Sequence, residues 1–222
     1  MPLKVQIRPA KVPDALELSG ANVFLHEGKL VIGYGVAAEL TAKGDARIES
    51  LGAKWQELVE SAEISDEVSV PGSGLIGLTS ITFSPTSQFE SVIIVPSRTL
   101  VIQDGHCYEV VAGQELSNEQ GSEPKGAFAE GQHDSAGFRS SVEKAISAIS
   151  AGELEKVVLA RDLVLPVEGE IDLANVLAKL HQRYPHCWTY TVGAVFGASP
   201  ELLIRSEGGE VSARVLAGTA GR

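Results

Sequence analysis

The sequence predicts an α+β protein with large, mainly antiparallel β-sheets and helices packed outside them. Short runs rich in valine, isoleucine and threonine are bounded by glycine and proline, as is typical of strands joined by hairpins. Helical periodicity interrupts these runs only at intervals, which favours antiparallel sheets over a doubly wound parallel sheet. The 222 residues, 44% of them apolar, suffice for one large domain or two small ones.

The N-terminal part, residues 1–133, is predicted to be β-rich with one helix. The apolar positions between 47 and 59 recur at helical spacing and predict one buried stripe. Asp104-Gly105 readily takes the positive φ angles of a tight turn, so it predicts a hairpin between residues 99–103 and 106–111. Three further β-like runs cover residues 30–36, 75–83 and 91–95.

A segment rich in Gly, Ser, Glu and Gln, residues 114–133, predicts a linker or mobile loop before a second part, residues 134–222. In that part Asp134 can cap a helix that Gly152 stops, and Asp172 can cap another that Pro185 ends. The runs 156–164 and 188–196 are predicted as strands. Gly208-Gly209 predicts a hairpin between 202–206 and 211–216.

Charge and composition exclude several classes of partner. A net charge of −11 opposes binding to nucleic acid or to an anionic membrane, since both need a basic surface. The N-terminus has prolines and acidic residues where a signal peptide needs an apolar stretch, so we expect a cytoplasmic protein. Cys107 and Cys187 stand alone and are interpreted as reduced, partly buried thiols.

Several catalytic motifs are absent from the sequence. The five histidines show no metal-ligand spacing, and no phosphate-binding glycine motif occurs. Gly197 to Glu201 resembles a nucleophile elbow, but Pro200 and Glu201 replace the residues that an elbow needs. A serine hydrolase and a nucleotide-binding enzyme are therefore disfavoured.

Lys156 is the first candidate for chemistry. It opens the predicted strand 156–164, where Val158 and Ala160 share its face. A lysine withdrawn from water favours its neutral form and can serve as a general base. The local pattern equally fits a lysine at a strand end that reaches water.

Glu201 is the second candidate, because it follows Pro200 in a turn between two apolar runs. Such a turn can hold the carboxyl group in the orientation that proton delivery to a leaving oxygen needs. An ordinary surface glutamate beside a turn fits the same pattern. Gly218 would let a ligand approach the backbone, and Thr219 offers a hydroxyl and an N–H to a carboxylate, although an ordinary strand end also fits.

Three motifs in order, GELEKVVLAR, FGASPELL and LAGTAGR, closely resemble the chorismate-utilising enzyme family, most of all its isochorismate synthases. An earlier segment, PGSGLIGLTSITF, resembles isochorismate synthases more weakly. The resemblance implies that residues 134–222 begin the catalytic region. It also implies roles for four residues: Lys156 activates water, Glu201 protonates the departing C4 hydroxyl of chorismate, and Gly218 and Thr219 hold the substrate.

A lysine and a glutamate together imply water as nucleophile, hence isochorismate for menaquinone or siderophore biosynthesis, since ammonia-using relatives commonly lack that lysine. Salicylate synthases share both residues and stay open. The family's magnesium-binding glutamates are expected beyond Arg222, so the resemblance implies an N-terminal portion that needs Mg²⁺ and is inactive alone. A catalytically silent fragment or interaction module is the alternative. The sequence sets no oligomeric state.

Overall fold

A computed structural model describes residues 2–113, 128–167 and 171–216. The chain forms two compact units: unit 1 comprises Met1–Gly121 with Asp172–Arg222, and unit 2 comprises Ser122–Ile171. These units differ from the division at residue 133, because the chain from Asp172 onward groups with the N-terminal strands. The boundary predicted at residue 133 marks the start of the catalytic region, and it stays a prediction.

Fifteen strands and three helices occur in the part of the chain that the structure describes. The helices are α1 (Arg47–Ser61), α2 (Ser135–Ser150) and α3 (Leu173–Arg183). The strands are β1 (Lys4–Pro9), β2 (Asn22–His26), β3 (Lys29–Tyr34), β4 (Ala38–Ala42), β5 (Glu63–Asp66), β6 (Leu78–Ser80), β7 (Ser91–Val95), β8 (Arg98–Gln103), β9 (His106–Ala112), β10 (Ala129–Glu130), β11 (Leu163–Val164), β12 (Trp188–Val192), β13 (Val195–Ser199), β14 (Leu202–Glu207) and β15 (Glu210–Arg214).

An eight-stranded sheet with the order β13-β12-β2-β3-β8-β9-β1-β5 dominates unit 1. Its neighbours run antiparallel except β1 and β5, which are parallel. A three-stranded sheet, β4-β7-β6, and the hairpin β14-β15 complete unit 1, while β10 pairs with β11 in unit 2. The predicted α+β class with large antiparallel sheets is confirmed.

Short-range signals in the sequence predicted the turns and helix ends correctly. Asp104 and Gly105 have φ angles of 50° and 82° and connect β8 to β9 as a tight hairpin. Asp134 accepts a hydrogen bond from the backbone N–H of Gly137 at 2.7 Å and caps α2. Asp172 caps α3 in the same way, and Gly152, at φ 76°, follows α2.

The core of unit 1 lies on both sides of the central strands. One cluster joins β1, β8 and β9 to Trp55 and Leu58 of α1, and a second places Leu177 of α3 against β2 and β3. Leu51 of α1 is buried as predicted, but Ile48 of the predicted stripe is 53% exposed. In the same turn of α1 it is Arg47 that is buried.

Two strand predictions in unit 1 were wrong in extent. Only Leu78–Ser80 of the run 75–83 pairs, because Leu75 and Ile76 pack against the core as loop residues. The run 188–196 is two strands, β12 and β13, that fold back on each other at Gly193. No described helix is long and apolar enough to cross a membrane.

Gly33 tests the close packing of the central sheet. A Cβ at this position would lie 2.3 Å from Cγ of Pro96, too close for any side chain. We expect Gly33→Ala to lower the free energy of unfolding by about 1–3 kcal/mol, the usual cost of overpacking. Gly52→Ala on α1 is the control, since its Cβ meets nothing within 4 Å and should stabilise the helix. Equal stability of both variants in denaturant titration would contradict this account.

Glu109 links three strands across one face of the large sheet. Its carboxylate accepts hydrogen bonds from Nε of Arg8 on β1 at 2.5 Å and from Nε of Arg98 on β8 at 3.1 Å. Partial burial alone would raise the pKa of Glu109, but the hydrogen bonds and charges of the two arginines lower it below its ordinary value. Arg98 also lies 5.8 Å from the ring centroid of Tyr34.

The lowered pKa of Glu109 predicts an acid-sensitive contribution to stability. A carboxylate whose pKa is lower in the fold stabilises it above the unfolded value, about 4.3, and loses this effect as pH falls through the folded value. Glu109→Gln should cost about 1 kcal/mol at pH 7, since both arginines are half exposed. The difference from wild type should shrink below pH 4. In an Arg8→Gln/Arg98→Gln background, denaturation should show almost no effect of Glu109→Gln at either pH.

Candidate active site

Glu201 stands at the exit of the outermost strand of the large sheet. It is exposed, and it links β13 to β14 directly after Pro200. The Oγ of Ser199 accepts a hydrogen bond from the backbone N–H of Glu201 at 3.3 Å. The fixed φ of Pro200 and this hydrogen bond restrict the backbone from which the carboxyl group projects. The turn predicted from sequence is present.

The strand that carries Glu201 is held through β12. Trp188 of β12 stacks on His26, with ring centroids 3.7 Å apart, and also contacts Phe24. Thr189 and Thr191 of the same strand are almost fully buried. The candidate acid is therefore joined to the main sheet by a strand that is buried on one face and stacked on the other.

The turn between β12 and β13 is fixed by a residue far away in sequence. Gly193 has a φ of 57°, and its backbone N–H donates to Oδ1 of Asn22 at 2.7 Å. A Cβ at Gly193 would lie 3.5 Å from Cδ1 of Ile94, which packs against the same hairpin. Asn22 thus ties this turn to the start of β2.

The glycine of the FGASPELL motif makes room for an aromatic ring. Gly197 lies opposite Tyr190 in the β12–β13 register, and a Cβ there would lie 3.1 Å from the tyrosine Oη. A glycine inside a strand often marks such a close approach, and here the tyrosine ring covers its backbone. Asn22 carried no signal in the sequence because its contact joins separate segments, and Tyr190 carried none because the run 188–196 was predicted as one strand and not as a hairpin.

Lys156 lies in a different setting from the one predicted. It is exposed and belongs to an irregular segment of unit 2, and only Leu163–Val164 of the predicted strand 156–164 pairs. A strand needs a hydrogen-bonded neighbour, and no described strand lies beside residues 155–160. Val158 is 93% exposed for the same reason. The prediction of a strand at residues 156–162, and of an apolar strand face around Lys156, was therefore wrong. The role of Lys156 as a base stays a prediction.

The two candidate residues belong to separate units, Lys156 to unit 2 and Glu201 to unit 1. Their cooperation in one reaction stays a prediction. Gly218 and Thr219 lie outside the described residues, and their role as substrate-binding residues is likewise a prediction.

A shallow groove runs along α2 in unit 2 and is lined by Ser140, Glu143, Lys144, Ser147, Ala148, Ala151 and Glu153. Its two carboxylates outnumber its single ammonium group, so it does not suit an anionic ligand. Within residues 2–113, 128–167 and 171–216, no group of three or more His, Cys, Asp or Glu side chains is arranged to hold a metal ion. The expectation of Mg²⁺ stays a prediction, and no chemical step is derived through it.

Residues 109–222 match the family of chorismate binding enzymes. This match covers slightly more than half of the chain, so the chain belongs to that family. The resemblance predicted from the three motifs is confirmed, and the matched range includes both candidate residues.

Individual relatives match parts of the chain. Isochorismate synthase MenF of Bacillus subtilis is 39% identical over 85 residues, which cover 36% of this chain and 18% of that protein. A 2-amino-4-deoxychorismate synthase of Streptomyces globisporus is 34% identical over 89 residues, covering 38% and 18%. The salicylate biosynthesis isochorismate synthase of Pseudomonas aeruginosa is 24% identical over 225 aligned positions, covering 85% and 46%.

The matched part of this chain thus spans less than half the length of these three relatives. No solved structure matches the chain significantly.

Proposed function

We propose that this chain belongs to an enzyme that converts chorismate to isochorismate and that it supplies the general base and general acid. The observation that carries the proposal is the position of Glu201, which follows a firmly held strand within the segment that matches the chorismate-binding family. Isochorismate synthases from Bacillus subtilis and Pseudomonas aeruginosa among the relatives support the same reaction. The pathway that uses the product is proposed to be menaquinone or siderophore biosynthesis.

The proposed chemistry needs two proton transfers. Lys156 takes a proton from water, whose oxygen bonds to C2 of chorismate while the ring double bonds shift. The C4–oxygen bond breaks, and Glu201 gives its proton to the departing hydroxyl, which leaves as water. Each positioned proton transfer of this kind contributes about 10²- to 10⁴-fold to the rate.

The setting of Glu201 suits the acid. Its backbone is restricted on one side by Pro200 and on the other by β14, while its side chain is exposed and can meet a substrate. Because orientation accounts for much of acid–base catalysis, a carboxyl group whose backbone is restricted on both sides suits this role.

The choice of water over ammonia depends on Lys156. The Streptomyces globisporus relative is named as a 2-amino-4-deoxychorismate synthase, so the family match alone leaves the nucleophile open. We infer water because the lysine and the glutamate occur together. Salicylate formation shares both residues, and a catalytically silent interaction module would need neither.

Substitution of the two residues tests their roles in an active protein that contains this chain. Lys156→Ala and Glu201→Gln should each lower kcat by about 100-fold or more with little change in KM, because each removes a proton transfer and leaves binding groups intact. Lys144→Ala is the matched control, since Lys144 lies on α2 of the same unit, and it should keep wild-type kcat. Near wild-type kcat in either test variant would remove that residue from the mechanism.

Product analysis tests the reaction itself. A protein that contains this chain, incubated with chorismate, magnesium and an ammonium salt, should release isochorismate, and chromatography should detect no aminated product. Salicylate with pyruvate as the main product would favour the salicylate synthase alternative. An aminated product would overturn the assignment of water as the nucleophile, and chorismate left unconverted would favour the silent module.

A further inference from the structure

The segment that carries Lys156, residues 155–160, is anchored at both ends within unit 2. At its N-terminal end the carbonyl of Ala148 accepts hydrogen bonds from the N–H groups of Glu153 and Leu154 at 2.9 and 3.4 Å. Gly152, at φ 76°, turns the chain out of α2 just before these bonds. This end is therefore fixed to the end of a helix.

The C-terminal end is held by Asp162. Both of its carboxylate oxygens accept the backbone N–H of Gln132, at 3.0 and 3.1 Å. The adjacent Arg161 forms an ion pair with Glu130, and β11 pairs with β10 immediately afterwards. These contacts join the end of the segment to residues 129–132.

The place of the Asp162 carboxylate depends on Gly131. A Cβ at Gly131 would lie 2.2 Å from both Cγ and Oδ2 of Asp162, so the carboxylate occupies the space that any side chain would fill. Only glycine lets the carboxylate lie this close to the backbone and reach the next N–H. We call this contact, formed by the Asp162 carboxylate, Gly131 and the backbone N–H of Gln132, the Asp162 clamp.

The clamp limits where Lys156 can go. Lys156 is two residues from the Leu154 anchor and five residues from Arg161, and an extended chain covers at most about 3.6 Å per residue. With both ends held, the backbone at Lys156 can move only within the reach of both anchors, whereas without the clamp it is tied at Leu154 alone. A displacement of about 1 Å can reduce catalysis about 100-fold.

We propose that Asp162 is a positioning residue: through Gly131 and Gln132 it holds the segment that bears Lys156 in place. The proposal rests on the proposed function in so far as Lys156 is the base. Asp162 acts through the backbone and touches no reacting atom, so its loss should affect the alignment of the lysine and leave substrate binding unchanged.

The first measurement needs no turnover. Backbone ¹⁵N relaxation of the 222-residue chain should show that the order parameters of residues 155–160 fall towards 0.6 or below in Asp162→Ala and in Gly131→Ala. Those of α2 should stay near 0.85 and serve as the internal control. Asp162→Asn keeps one acceptor oxygen at the same reach and should retain most of the order. Unchanged order parameters in Asp162→Ala would overturn the proposal.

The double variant tests whether Gly131 acts through Asp162. Once Asp162 is alanine, a Cβ at residue 131 has no carboxylate to displace, so Gly131→Ala should add no further loss of order. Additive losses would show that Gly131 serves another purpose and would contradict the clamp. Far-UV circular dichroism of each variant distinguishes local loss of order in residues 155–160 from failure of the whole chain to fold. If Asp162→Ala fails to fold, the order parameters of Asp162→Asn are compared with those of the wild type instead.

Kinetics in an active protein that contains this chain complete the test. Asp162→Ala should lower kcat about 10- to 100-fold with KM unchanged, and Asp162→Asn should restore most of the loss. If Asp162→Ala loses order without any change in kcat, and Lys156→Ala also keeps full activity, Lys156 is not the base. The structural role of the Asp162 clamp would then still be supported. Loss of order without a change in kcat, while Lys156→Ala is inactive, would refute the positioning role alone.

Discussion

The antiparallel pairing of β12 with β2 is the contact on which the candidate site depends. It joins Thr189–Thr191 to Val23–Leu25, two segments far apart in the chain, and so adds the hairpin β12–β13 to the N-terminal sheet. The entropy cost of closing such a long loop grows only slowly with its length. Burial of the apolar side chains of Val192 on β12 and Leu177 on α3 offsets part of that cost.

One consequence of this pairing is that the candidate acid lies at an edge. β13 is the last strand of the eight-stranded sheet, so its outer backbone groups and the turn after it face outward. Val195 and Phe196 on this strand are 49% and 38% exposed. Glu201 therefore combines a rigid attachment with access, which a residue in a central strand would not have.

The elements that could be predicted from sequence are those whose cause is local. A capping aspartate, an Asp-Gly turn or a proline after a helix acts within a few residues, and each of these signals at residues 104, 134, 172 and 185 was confirmed. Residues 156–162 have the composition of a strand, but no described strand pairs with them. Composition measures how well a side chain suits a sheet, whereas pairing depends on another segment.

The candidate site was predictable to the same limited degree. The turn that holds Glu201 is local and was predicted, and the motifs identified the family correctly. The contacts that fix the surrounding backbone were not predicted, because Asn22 with Gly193, and Asp162 with Gln132, are paired across long stretches of chain. A hydrogen bond from a side chain to a distant backbone N–H leaves no periodic pattern.

The two candidate residues differ most in how they are held. Glu201 follows a strand with a full ladder of backbone hydrogen bonds, whose loss requires opening the edge of a large sheet. Lys156 lies on an irregular segment whose C-terminal anchor consists of one carboxylate, one ion pair and two short paired strands. These contacts are exposed, and exposed polar contacts each contribute little free energy. The proposed function needs acid and base together, and of these two residues the lysine is the less firmly held.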